Sequence, residues 1–166
     1  MKKMNNKGFS LVELIIVIAI MAILIVVLAP QYLKYVEKSR NSTDLQSVTE
    51  FKDACEIWAA DPDAGEGTTT PFVKGDEFEV TCDSTVNKGV AGAPTGAGAN
   101  AVLSALDEAG LSINNLKCTS KTNWTKFSIH GKVENNGSIT WTYPNTDSTF
   151  TDAIGYTAPA APPAGP

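Results

Sequence analysis

One carboxylate in this chain sits where a carboxylate is expensive. From Phe9 to Ala29 the residues form an almost unbroken apolar run, and the only charge inside it is Glu13. An acid deep in a membrane helix costs about 2.5–3.5 kcal/mol on insertion scales, less near an interface, and such a charge generally faces a protein partner. Glu13 stands four residues after Phe9, one helical turn, so an amine carried by Phe9 could meet it. Few other residues offer chemistry. Cys55, Cys82 and Cys118 are the only cysteines and His130 the only histidine. One histidine, with cysteines that strand alternation points inward, makes neither a zinc site nor a histidine-based catalytic centre. Asp61-Pro62-Asp63-Ala64-Gly65-Glu66 faintly resembles a calcium loop without the full ligand spacing. Nothing reads as a phosphate loop or an acid–base dyad, so no enzyme is expected.

The apolar run is long enough to cross a bilayer core, which needs about 20 residues of helix. Lys2, Lys3 and Lys7 precede it. Basic flanks stay cytoplasmic, which places the N-terminus inside and the remainder outside. A secretory signal peptide would put small residues after the run. Here Pro30-Gln31-Tyr32-Leu33-Lys34-Tyr35 follows instead, and the small residue, Gly8, lies before it.

Lys7-Gly8-Phe9-Ser10-Leu11-Val12-Glu13-Leu14 resembles the prepilin signature of type IV pilins and type II secretion pseudopilins. The resemblance is strong over residues 1–60. It implies that a prepilin peptidase cuts between Gly8 and Phe9 and that Phe9 is N-methylated. It places the family's assembly glutamate on Glu13 and its helix proline on Pro30. It further implies identical or homologous subunits as partners in a helical polymer, with an assembly platform and an ATPase behind them. The physics is compatible. A free amine of one subunit could neutralise Glu13 of its neighbour, since an unpaired charge in an apolar core is costly and a paired one tolerable. The resemblance also leaves calcium open as a ligand of the head, because pseudopilin heads often bind it; no other cofactor is expected.

The helical pattern outlasts the membrane. Leu45, Val48, Phe51, Cys55 and Trp58 recur at three or four residues, one face of a helix. Lys52 and Glu56 are spaced as an i,i+4 pair. Pro62 marks the stop. A helix over 9–60 would be roughly 75–80 Å long, with a bend expected at Pro30. Tyr32 and Tyr35 read as an interfacial belt, as subunit contacts or as an aromatic path for electron transfer, the last disfavoured because scattered aromatics are usual in a helix that must pack. Lys34, Lys38 and Arg40 form a basic stretch, and Asp44, Glu50, Asp53 and Glu56 an acidic one, either solvated or matched between staggered neighbours.

The remainder reads as a small head. Glu77 to Cys82 alternates as a strand, Gly89 to Gly98 looks like a flexible connection, and Asn100 looks like the cap of a helix over Ala101–Ala109 ended by Gly110. Leu116-Lys117-Cys118 could open another strand. Phe127 to Val133, a turn at Asn135-Asn136-Gly137, and Ile139 to Tyr143 form a hairpin. The fold class expected is α+β, a long N-terminal helix packed on a small antiparallel sheet. The expected organisation is a leader over 1–8, an apolar helix over 9–30, its amphipathic continuation over 31–60, a head over 61–157 and a Pro/Ala-rich tail over 158–166.

Helix and sheet layers lie about 10 Å apart, beyond the roughly 7 Å reach of a disulfide. That favours Cys82–Cys118 with Cys55 free; three buried thiols are the alternative. Loss of Lys2, Lys3 and Lys7 takes the formal charge from −5 to −8, which disfavours nucleic acid along the head. The reading is a structural subunit of a type IV pilus, first a single-pass protein of the cytoplasmic membrane and then part of a surface filament serving adhesion or motility. Its rivals are a pseudopilin of a secretion or competence system and a minor pilin acting as a ligand-binding adhesin.

Overall fold

The computed structural model describes residues 10–61, 63–67 and 69–157. The fold is α+β. A 50-residue helix, α1 (Leu11–Ala60), is followed by β1 (Glu77–Asp83), α2 (Ala99–Glu108), β2 (Lys126–Val133), β3 (Ile139–Thr142) and α3 (Ser148–Ala153). The strands form one antiparallel sheet in the order β1-β2-β3. Two compact units divide the chain, one ending at Lys38 and the other beginning at Ser39. Helical backbone runs through Pro30.

In the second unit the helix stripe meets the sheet as alternation requires. Val48, Phe51, Cys55 and Trp58 are buried, and Leu45 is half-buried against the same core. Phe78, Val80 and Cys82 from β1 and Phe127, Ile129 and Val133 from β2 complete it. Trp141 of β3 joins the layers, meeting Phe51 edge-on at 6.2 Å and Phe78 at 5.7 Å between ring centres. Lys52 and Glu56 make no ion pair with each other among the described residues. Both serve Trp141 instead: Glu56 Oε1 accepts from its indole N–H at 2.6 Å, and the Lys52 ammonium lies 5.5 Å from the ring centre.

Three local expectations are corrected. The segment over 89–98 is pinned rather than loose. Ala91 donates to Leu116 O, Gly92 to Thr81 O, and Thr95 exchanges two hydrogen bonds with Glu79. Its glycines permit that approach, since a Cβ on Gly96 (φ +97°) would lie 2.3 Å from Glu77 O. Residues 116–118 add only a single bridge, Lys117 to Val90, so no fourth strand forms. Leu116 and Cys118 are buried, but their backbone partners are in that glycine-rich segment. Asn100 lies inside α2, whose cap is Gly98; the Gly98 N–H is bound to Glu77 O, which fixes where the helix starts. At its other end Gly110 (φ +67°) donates to Asp107 O and Leu111 to Leu106 O, the paired bonds of a left-handed helix stop. The polar stretch after Pro144, within the head expected over 61–157, holds a short helix. α3 delivers Phe150, fully buried and stacked on Phe127 at 4.4 Å. The tail expected over 158–166 lies outside the described residues.

Gly131 faces the Phe78 ring so closely that an added Cβ would fall 2.3 Å from it. Gly131→Ala is therefore expected to destabilise the head by about 1–3 kcal/mol, read as a lowered urea midpoint in tryptophan fluorescence of the full-length chain in detergent.

Candidate functional site

The first unit presents the candidate assembly segment. Leucine, isoleucine, valine and methionine side chains from Leu11 to Leu28 are 44–75 % exposed around every side of α1. Tyr32, Leu33 and Tyr35 continue that exposure. α1 is long and apolar enough over this part to cross a membrane. Among the described residues here, Glu13 is the acid in the first turn. Its Oε2 accepts from the backbone N–H of Ser10 at 2.9 Å. Ser10 immediately precedes the helix, so Ser10-Leu11-Val12-Glu13 forms one half of a capping box, in which the third helical residue reaches back to the cap's N–H. The S-x-x-E spelling was available in the sequence and gives Glu13 a local role beside any intermolecular one. Gly8 and Phe9 lie outside the described residues.

In the second unit, the most heavily used polar group is Asp44, only 1 % exposed. The sequence pattern placed it in a solvated or intermolecular acidic stretch; the structure places it in the interior. Oδ1 accepts from the Thr119 N–H at 2.8 Å and the Thr119 hydroxyl at 2.6 Å. Oδ2 accepts from the Ser120 N–H at 3.0 Å and the Trp124 indole at 2.9 Å. The buried Ser120 Oγ accepts from the N–H groups of Asn123 and Trp124, both at 3.3 Å. The loop leading into β2 is thus held on α1 through one carboxylate. A periodic signal existed: Asp44 stands four residues before Val48, at the next core position of the stripe Val48, Phe51, Cys55, Trp58. Reading Leu45 as the start of that stripe concealed it.

The three cysteines are buried thiols. Burial pushes Cys55 up to about 12, with the Glu56 charge adding to it. Burial does the same for Cys118, to about 12, with Asp44 next in effect. Cys82 is raised further by burial and then by the neighbouring Cys118. His130 lies half-buried on the opposite sheet face, 3.9 Å from Glu77 and 3.2 Å from the Thr142 hydroxyl. Asp61 Oδ1 accepts from the Asp63 N–H at 2.9 Å. No group of three or more His, Cys, Asp or Glu able to hold a metal ion occurs among the described residues.

Comparison with known proteins bears on the first unit. The prokaryotic N-terminal methylation motif matches residues 3–29. The N-terminal segment therefore carries a type IV prepilin motif. Over 65 residues this pilin-like chain is 38 % identical to the type IV major fimbrial protein FimA of Dichelobacter nodosus, a stretch covering 39 % of the chain and 42 % of that protein. The chain thus spans less than half the length of the curated relative it matches. No solved structure matches it.

Two outcomes follow for the head of this pilin-like chain. Asp44→Ala strands four donors in the interior and is expected to cost on the order of 3 kcal/mol or more, measured by urea unfolding; an unchanged midpoint would contradict the clamp. In the reduced head the raised cysteines stabilise the fold as neutral thiols. That contribution is complete below their ordinary value of 9.0 and is lost as pH rises towards 12. With the protein kept reduced, iodoacetamide at pH 8 should label the folded head far more slowly than the urea-unfolded chain.

Proposed function

We propose that this chain is a structural subunit of a type IV pilus, a major pilin, assembled through its N-terminal helix. The observation that carries the reading is the exposed apolar surface from Leu11 to Leu28 on a helix whose later residues form the core of a folded head. Burial of apolar surface is favourable by roughly 25 cal/mol per Å², so that segment calls for lipid before assembly and for copies of itself afterwards. In this reading the leader is cut between Gly8 and Phe9 and Phe9 is methylated. Its amine then neutralises Glu13 of a neighbouring subunit. Pro30 supplies a bend where the helices pack. Prepilin peptidase, the assembly platform and its ATPase are the partners of that cycle. Outside the membrane, exchange with an oxidised disulfide donor, which takes up the two electrons and two protons, joins Cys82 to Cys118 and leaves Cys55 reduced, a pairing that mass spectrometry of unreduced peptides reads directly.

The capping contact to Ser10 defines the decisive substitution. Glu13→Gln keeps a side-chain oxygen for the Ser10 N–H and removes the charge, whereas Glu13→Val removes both. Both variants should remain membrane-inserted and cleaved after Gly8 while filament yield collapses. Wild-type filament yield from Glu13→Gln would reduce the residue to a helix cap. Long surface fibres composed mainly of this chain, seen in wild-type and absent from deletion cells, support the major-pilin assignment. Short fibres confined to the envelope would instead identify a pseudopilin, and a specific ligand held by the head of a sparse subunit would identify an adhesin.

A further inference from the structure

The sequence contains three Asn-x-Ser/Thr triplets, the pattern that accepts an N-linked glycan on a surface loop. They are Asn41-Ser42-Thr43, Asn123-Trp124-Thr125 and Asn136-Gly137-Ser138, and the structure separates them. The first lies within α1, with Asn41 Oδ1 buried and the Thr43 hydroxyl donated to Ser39 O at 3.0 Å. The second is locked through its middle residue. Trp124 is 3 % exposed, its indole donates to Asp44, and its N–H to Ser120 Oγ. Neither triplet can be lifted into another protein's active site without dismantling the head.

The third is built differently. Asn136-Gly137-Ser138 occupies the β2–β3 turn, with Asn136 and Ser138 both exposed. The Ser138 hydroxyl donates to Asn136 Oδ1 at 2.7 Å, and the Ser138 N–H donates to the same oxygen at 3.0 Å. Both donors engage the amide through its oxygen and not through Nδ2. Gly137 carries φ +84°, which brings the serine back over the asparagine. Two residues earlier, Glu134 is set on the same turn, its Oε1 accepting from the Thr140 hydroxyl at 3.0 Å. An anionic side chain thus stands beside this triplet, whereas Ser39 and Lys121 occupy the equivalent places before the other two. Next to the turn, an open cleft of about 640 Å³ lies between Asn136–Ile139 and the end of α1 at Glu56, Ala59 and Ala60. A first sugar on Asn136 has room there.

We infer that Asn136 is the acceptor of an N-linked glycan, transferred outside the membrane from a lipid-pyrophosphate-linked oligosaccharide. In that step Asn136 Nδ2 loses a proton to a base of the transferase and bonds to the anomeric carbon of the sugar. The carbon–oxygen bond to the lipid pyrophosphate breaks, and the pyrophosphate leaves with its electron pair. The inference rests on the outward placement of the head in the proposed function.

The test is peptide mass spectrometry of the full-length protein from its own cells, after protease shaving has established that the head is on the surface. A carbohydrate mass localised to Asn136, absent from Asn41 and Asn123, is expected. Asn136→Gln and Ser138→Ala should abolish it, and Ser138→Thr should retain it. A surface-exposed head whose Asn136 peptide is wholly unmodified, or only deamidated, overturns the glycan. A head protected from the protease overturns the topology instead. Each variant's urea midpoint, expected unchanged from wild type for a surface turn, separates loss of modification from loss of folding.

Discussion

The head is organised around a buried carboxylate, that of Asp44. Asp44 is held by two backbone N–H groups, a hydroxyl and an indole N–H. A carboxylate in the interior is tolerated only when its lone pairs are filled, and here every donor comes from the single loop over Thr119–Trp124. The contact therefore acts in both directions. The helix gives the loop a buried anchor on α1, and the loop makes an acid possible at a core position. Because that loop leads directly into β2, the register of Phe127 and Ile129 against the stripe of α1 depends on it. Trp124 extends the same anchor into the aromatic group of Phe150, Phe127 and Tyr143.

A second constraint governs the other unit. Its apolar side chains point in every direction around the helix and remain exposed. A helix apolar all round belongs in lipid or in a protein core. The N-terminal methylation motif falls on this same stretch. Glu13 stands at its beginning, already engaged by Ser10. That local bond lowers the cost of keeping the acid beside apolar residues before any neighbour arrives, and it leaves the second carboxylate oxygen for another donor.

The sequence was most legible where periodicity was long. The stripe from Val48 to Trp58 and the two hairpin strands could be read because several residues repeated the same spacing against one core. Reading failed where one residue carried the information. Asp44 occupies a core position but is acidic, so the pattern was read from Leu45 instead. The six residues of α3 hold one large apolar side chain, Phe150, too few to show a period. Gly89 to Gly98 looked flexible because composition records freedom in the unfolded chain; it does not record the two carbonyls, Glu77 O and Cys118 O, that only a glycine can approach. Lys52 and Glu56 had the spacing of a pair, yet an indole from β3 lies between their roles.

By itself the sequence determined the long helix, its apolar first half, the antiparallel hairpin and the family signature. Those depend on local spacing and on the contrast between apolar and polar residues, which are written along the chain. Tertiary structure alone decided that Asp44 is an interior clamp, that the glycine-rich segment is bound to β1, and which Asn-x-Ser/Thr triplet stands open. Each of those depends on donors, carbonyls or covering side chains tens of residues away. Burial and hydrogen bonding are properties of the folded neighbourhood, so the same residue type reads as surface in one place and as core in another.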